Sequence, residues 1–416
     1  MRIEQAVVVP ARGGHYNEDL QAIRAGAHRD GYLYPGTPQA PGFDAIRQPS
    51  EAFSLILRLE GGATVAGDGM SVAYSAAGGR HGLFRAAEQL PHLQAIADHL
   101  RGRPVGGLTE MCAELEALPL DDRLHRNAAF YGASQALAQA VAVAQGRTAA
   151  EVLAARFGRP VATAPVAINV QCGDERHHGV DKAIMKRADV LPHGLINDLD
   201  VLGAQGERLQ EYVSWIVDRI ARHAPPDYRP ELHIDVYGMV GVAFGHDVGR
   251  MADYLARLGE LALPHRLSVE TPVLMDSRSA QIETLAALRE ALAARGEPRV
   301  PIIVDEWANT LADIRAFLAA GAVDMVNVKS PDLGSILNAG RAILDCKAAG
   351  VRPILGGSCA DTDQSARVIA HLALAAEPAW VLARPGMGID EGMQIVGNEM
   401  ARTLALIAAR GAGEES

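Results

Sequence analysis

"LHIDVYG" (residues 232–238), "LSVETP" (residues 267–272) and "IIVDEW" (residues 302–307) are three copies of one pattern. Each is a short run of mostly β-branched and apolar residues that stops on an acid: Asp235, Glu270 and Asp305. The acids are separated by two equal steps of 35 residues (270 − 235 and 305 − 270), about the length of one strand plus its return helix. An acid that recurs once per repeat at the same end of successive strands marks one rim of a parallel sheet.

Working outward, five more runs of the same kind flank these three: "VAINVQ", "VLPHGLIN", "MVNVKSP", "PILGGS" and "WVLARPG". Helical patterns lie between them. In one, Leu209, Tyr212, Val213, Ile216 and Ile220 form a single apolar face. Eight strand-like runs separated by helices predict a parallel (β/α)8 barrel over residues 161–405. An open doubly wound sheet is the alternative, but the Gly-rich phosphate turn it normally carries after its first strand is missing.

Residues 1–160 have a different texture. "QAVVVP", "FSLILRLE" and "GATVAGDG" read as strands and the rest, from about Gly82, as helices, which predicts a separate α+β domain. The polar, Gly/Tyr/Pro-rich segment 15–42 is long enough for a loop to suggest a functional role. Residues 406–416 read as a tail. The 416 residues carry a net charge of −11, which argues against a nucleic-acid or anionic-membrane surface. The only apolar run near the N-terminus is five residues long, too short for a signal peptide or a membrane span. Cys112, Cys172, Cys346 and Cys359 show no metal or disulfide spacing and suit a reducing cytoplasm.

The strand ends predict the chemistry. Three carboxylates converging at the mouth of a barrel repel one another and call for a cation; an all-oxygen ligand set favours Mg²⁺ or Mn²⁺. Lys329 ends the run after Asp305, and His193 ends the run before Asp235. A nitrogen base on either side of a three-acid metal site suits removal of a proton next to a carboxylate. In "ILGGSCADTD" two glycines let the backbone approach a ligand, and Ser358 with the amides after it could hold a carboxylate. His177 and His178, in "DERHHG", read as solvated.

At these residues the chain resembles the methylaspartate ammonia-lyase family of the enolase superfamily. The resemblance runs from Met1 to beyond Asn398 and includes "LPHGLIN", "HIDVYG", "VDEWANT", "KSPDLG", "GGSCADTD" and "ARPGMGIDEG". It implies an α+β capping domain over a modified TIM barrel, a soluble cytoplasmic enzyme of amino-acid catabolism, and a homodimer. It implies Mg²⁺ held by Asp235, Glu270 and Asp305. Lys329 would be the (S)-specific base and His193 the base on the opposite face. Substrate contacts would fall on Gln171, Asn327, Ser358, Cys359 and, as a hydrophobic wall, Leu382. The implied reaction is reversible loss of ammonia from the amino-dicarboxylate (2S,3S)-3-methylaspartate, giving mesaconate through an enediolate.

Three positions depart from the family pattern: Asn327 and Ala73 stand where it has glutamine, and Ser358 where it has threonine. Serine keeps the hydroxyl. Asparagine shortens an amide arm, and Ala73 removes a polar group on the amine side of the substrate. A substrate with a larger amine or a different 3-substituent is therefore an open alternative. Another reaction through an enediolate, such as dehydration or racemisation, is a further one, and a silent dicarboxylate-binding paralogue a third.

Overall fold

The computed structural model describes residues 1–414 of the chain. The N-terminal domain is built on an antiparallel sheet of β1 (Ile3–Glu18), β2 (Arg47–Leu59) and β3 (Thr64–Met70), in that order, with Val7 opposite Ile56 and Leu55 opposite Gly67. Four helices cover it: Ala86–Leu100, Leu108–Glu116, Arg126–Gln145 and Ala149–Arg156. The third is Ala-rich because it lies almost on the backbone of β3. A Cβ placed on Gly67 would come within 2.1 Å of the Gly132 carbonyl oxygen, and one on Gly69 within 2.1 Å of that of Ala128. Only small residues on both sides permit so close an approach.

The eight runs become eight parallel strands that close into a barrel: β4 (Ile168–Asn169), β5 (Val190–His193), β6 (Glu231–Asp235), β7 (Leu267–Glu270), β8 (Ile302–Val304), β9 (Met325–Val328), β10 (Arg352–Leu355) and β11 (Trp380–Leu382). β11 pairs with β4 through Val381 and Ile168, so the sheet has no free edge. Val190, Ile303, Met325, Ile354 and Trp380 fill the floor of the barrel as one apolar layer. Residues two further along β6, β7 and β8 point inward one layer higher, where the acids are. Asp235 and Glu270 stand directly opposite each other in the ladder.

The barrel helices start where the sequence offers a side-chain cap. Asp247, Ser277, Thr310, Ser335 and Thr362 each accept a backbone N–H from the first turn that follows. Helix Glu207–His223 buries Leu209, Tyr212, Val213, Ile216 and Ile220 against the barrel, the face read from the periodicity. The last helix, Glu391–Glu414, carries on through most of the segment read as a tail. No described helix is long and apolar enough to cross a membrane.

The sheet domain is a cap. The end of β1 is tied to the barrel rim, with the Gly14 amide donating to the carbonyls of Ala360 and Asp361 at 3.2 and 3.1 Å. The polar segment that follows β1 folds over the mouth. There Leu20, Ile23, Tyr34, Ile46, Tyr74 and Ala77 form a small apolar cluster with Tyr237 of the barrel.

Candidate active site

Carboxylate oxygens of Asp235, Glu270 and Asp305 lie within 4.8 Å of one another, all buried. Burial and mutual repulsion push Asp235 and Asp305 well above the usual carboxylate range. Glu270 goes the other way. Burial opposes its charge, but His233, which donates from Nε2 to Glu270 Oε2 at 2.7 Å, outweighs it together with Lys329. Asn327 donates to the other oxygen, Oε1, at 2.7 Å. Asp235 Oδ1 accepts from the Tyr237 amide at 3.2 Å, while its Oδ2 is buried with no partner. A buried carboxylate oxygen without a donor is costly. Facing two more acids, it fits a hard cation held by three oxygens.

His193, His233 and Glu270 are also close enough to share an ion. That triad does not fit. The Asn169 side-chain amide donates to His233 Nδ1 at 2.7 Å, so the ring's proton sits on Nε2 and is already given to Glu270.

The two nitrogen bases flank the acids. Lys329 Nζ lies 3.2 Å from Asp305 Oδ2. Burial disfavours its charge, but Asp305 and Glu270 prevail and hold its proton more firmly than an ordinary lysine's. His193 is pushed down to about 3, by burial first and by His233 next. Its Nδ1 sits 3.2 Å from the Gly194 carbonyl, which can only accept, leaving Nε2 as a bare lone pair. That lone pair lies 3.8 Å from Asp235 Oδ2. His193 adopts a φ of 61°, a strained conformation that aims the ring across the strand ends.

Gln171, His193, Lys329, Asp305, Ser358, Cys359 and Ala73 line one narrow cavity above the acids. The Ser358 hydroxyl accepts from the amides of Ala73 and Ala360, at 2.9 and 3.1 Å, which leaves its own proton to donate. Its amide is spent on Asp361, so the loop offers a ligand fewer free N–H groups than the sequence suggested. Burial pushes the Cys359 thiol up to about 12, which keeps it neutral.

Two expected substrate contacts stand elsewhere. Asn327 is committed to Glu270 and does not line the cavity. Leu382 is buried at the end of β11 and does not line it either. Residues the sequence reading passed over are present instead. His15, Glu18 and Arg80 come from the cap, and Tyr74 and Tyr237 close one wall. His233, beneath the acids, had a signal. It lies two residues before Asp235 on one strand, and so on the same inward face.

Comparison with known proteins places the chain in a family. The family model described as methylaspartate ammonia-lyase C-terminus matches residues 160–409, and the corresponding N-terminus model matches residues 1–158. Methylaspartate ammonia-lyase 2 of Carboxydothermus hydrogenoformans is 46% identical over 414 residues, 99% of this chain and 100% of that one. The crystal structure of the Citrobacter amalonaticus enzyme containing (2S,3S)-3-methylaspartic acid superposes with a TM-score of 0.93. It is 42% identical, and the match covers 98% of this chain and 100% of that one. The Mg complex of β-methylaspartase from Clostridium tetanomorphum gives 0.90 at 40% identity, over 99% and 100% of the two chains. Muconate lactonizing enzyme of Pseudomonas putida shares the fold at a TM-score of 0.60 and 16% identity, over 90% and 85% of the chains.

Proposed function

The chain belongs to the methylaspartate ammonia-lyase family, carbon–nitrogen lyases of the enolase superfamily, and on that premise we propose that it reversibly deaminates (2S,3S)-3-methylaspartate to mesaconate and ammonia. The observation that carries this reading is the placement of Lys329 Nζ beside Asp305, on the same rim as the partnerless oxygen of Asp235. A divalent cation on Asp235, Glu270 and Asp305, which we take to be Mg²⁺, supplies stabilisation for the negative charge that grows on the substrate carboxylate.

The chain's own residues do the rest. Asp305 and Glu270, which hold the Lys329 proton, would share their charge with the cation they would bind, and that would favour the neutral amine at Lys329. Lys329 then takes the C3 proton, and the C–H electrons pass to the adjacent carboxylate as an enediolate. Their return forms the C2–C3 double bond, and the C2–N bond breaks as the amine leaves with its electron pair. His193, neutral and bare at Nε2, serves the opposite face of C3. Gln171 and the Ser358 hydroxyl orient the carboxylates, and the cap excludes water. Turnover of 3-methylaspartate, followed by the absorbance of the unsaturated product, should vanish with EDTA and return with Mg²⁺. Turnover that persists without metal would refute this reading.

A larger amine is the second reading, and Ala73 favours it: its methyl offers no polar arm at that position of the cavity wall. We further take the enzyme to act in amino-acid catabolism in the cytoplasm. Its four free, buried cysteines suit a reducing compartment. The homodimer expected of the family is retained as part of the proposal, with residues 1–160 as the cap and 161–405 as the catalytic barrel.

A further inference from the structure

We propose that Arg80, carried on a loop of the cap, is a positioning residue that sets Asp305 for metal binding, so that the metal site is complete only when the cap is seated. The inference rests on the reading of Asp235, Glu270 and Asp305 as metal ligands. The three acids are held differently. Glu270 is held by His233 and Asn327, and Asp235 by the Tyr237 amide, all groups of the barrel. Asp305 Oδ1 is held by Arg80, from a loop 225 residues earlier in the chain.

Arg80 is placed by more than this one contact. Its guanidinium is buried and donates from Nη2 to Asp305, from Nη1 to Glu306 at 3.1 Å and from Nε to Asp332 at 3.0 Å. Glu306 is fixed in turn by the Thr271 hydroxyl at 2.6 Å. A planar fork matched to three carboxylates is a task lysine cannot repeat. The loop itself is clamped. The Gly78 carbonyl accepts from the Trp307 amide at 2.9 Å and from the Asn309 side chain at 2.8 Å. Gly78 has a φ of 54°, and a Cβ there would strike Glu306 at 2.6 Å.

Three carboxylates anchor Arg80, whereas a single 3.2 Å contact holds Lys329 to Asp305 Oδ2. Asp305 would hold a cation together with Asp235 and Glu270, and Arg80, fixed by three carboxylates, would keep the Asp305 carboxylate plane set for it.

The test is Mn²⁺ binding to the full chain without substrate, read by electron paramagnetic resonance of the free ion. Substituting Arg80→Lys should weaken Mn²⁺ binding by about 10- to 100-fold, the usual effect of removing a group that orients a metal ligand. Glu306→Gln, which loosens Arg80 but retains it, should weaken binding in the same direction and by less. Turnover of R80K should recover as Mg²⁺ is raised. Affinity within about twofold of the native chain in folded R80K would overturn the proposal; so would a turnover deficit that Mg²⁺ does not relieve. If R80K fails to fold, native affinity in E306Q overturns it instead. A native chain that binds no Mn²⁺ would overturn the metal reading and this inference together. Failure on 3-methylaspartate with Mn²⁺ binding intact would leave Arg80 assigned and only the substrate wrong.

Discussion

His233 gives the sharpest test of how the barrel prepares its metal site. The ring is fully buried, receives a hydrogen bond from Asn169 at 2.7 Å and passes one on to Glu270 at 2.7 Å. Replacing His233 by Leu keeps the apolar volume but leaves a buried carboxylate oxygen without its donor. A hydrogen bond to a charged group contributes roughly 1.5–3 kcal/mol. At about 1.4 kcal/mol per decade, Mg²⁺ affinity should fall by about 10- to 100-fold, since Glu270 is no longer aimed. His233→Gln is the matching control. Its amide nitrogen can stand where Nε2 stood and still donate to Glu270, so affinity should stay within roughly fivefold of native. Calorimetric titration with Mg²⁺, alongside kcat/KM on 3-methylaspartate, reads both. The reasoning fails if the leucine variant binds Mg²⁺ like the native chain, or if glutamine is as damaging as leucine.

Lys329→Ala should lower kcat on the 3S substrate by about 10²–10⁴, the range for a lost general base, and His193→Ala should mainly slow proton exchange on the opposite face; full activity in Lys329→Ala would remove it from the mechanism. Ala73→Gln should raise the preference for ammonia over methylamine in addition to mesaconate, because a polar arm on that side rewards the small, hydrated amine. Unchanged kcat/KM ratios would show that Ala73 says nothing of the substrate. Burial first, and then Arg47, pushes His15 down to about 4 against 6.5 for the free side chain. Between those values the unfolded chain takes up a proton the native chain refuses, so stability falls as pH falls through that window. His15→Phe should show a shallower loss in urea unfolding between about pH 7 and about pH 4.5. An unchanged slope would show that His15 does not titrate on unfolding.

Much of this molecule was legible in the chain. Strands and amphipathic helices repeat with periods of about 2 and 3.6 residues, so their faces can be read locally; the eight runs and the buried face of helix Glu207–His223 follow from that. The even spacing of Asp235, Glu270 and Asp305 was legible for the same reason, since a barrel returns each strand to the same rim. His233 could have been found by alternation within its strand. What the sequence could not set was how side chains distant in the chain meet. That Asn327 meets Glu270 depends on how β9 and β7 stand in the closed barrel. That Arg80 reaches Asp305, and that the Ala73 amide binds Ser358, depends on how one domain seats on another. Such contacts join residues 57 to 285 positions apart and carry no periodic signal, so only packing selects them.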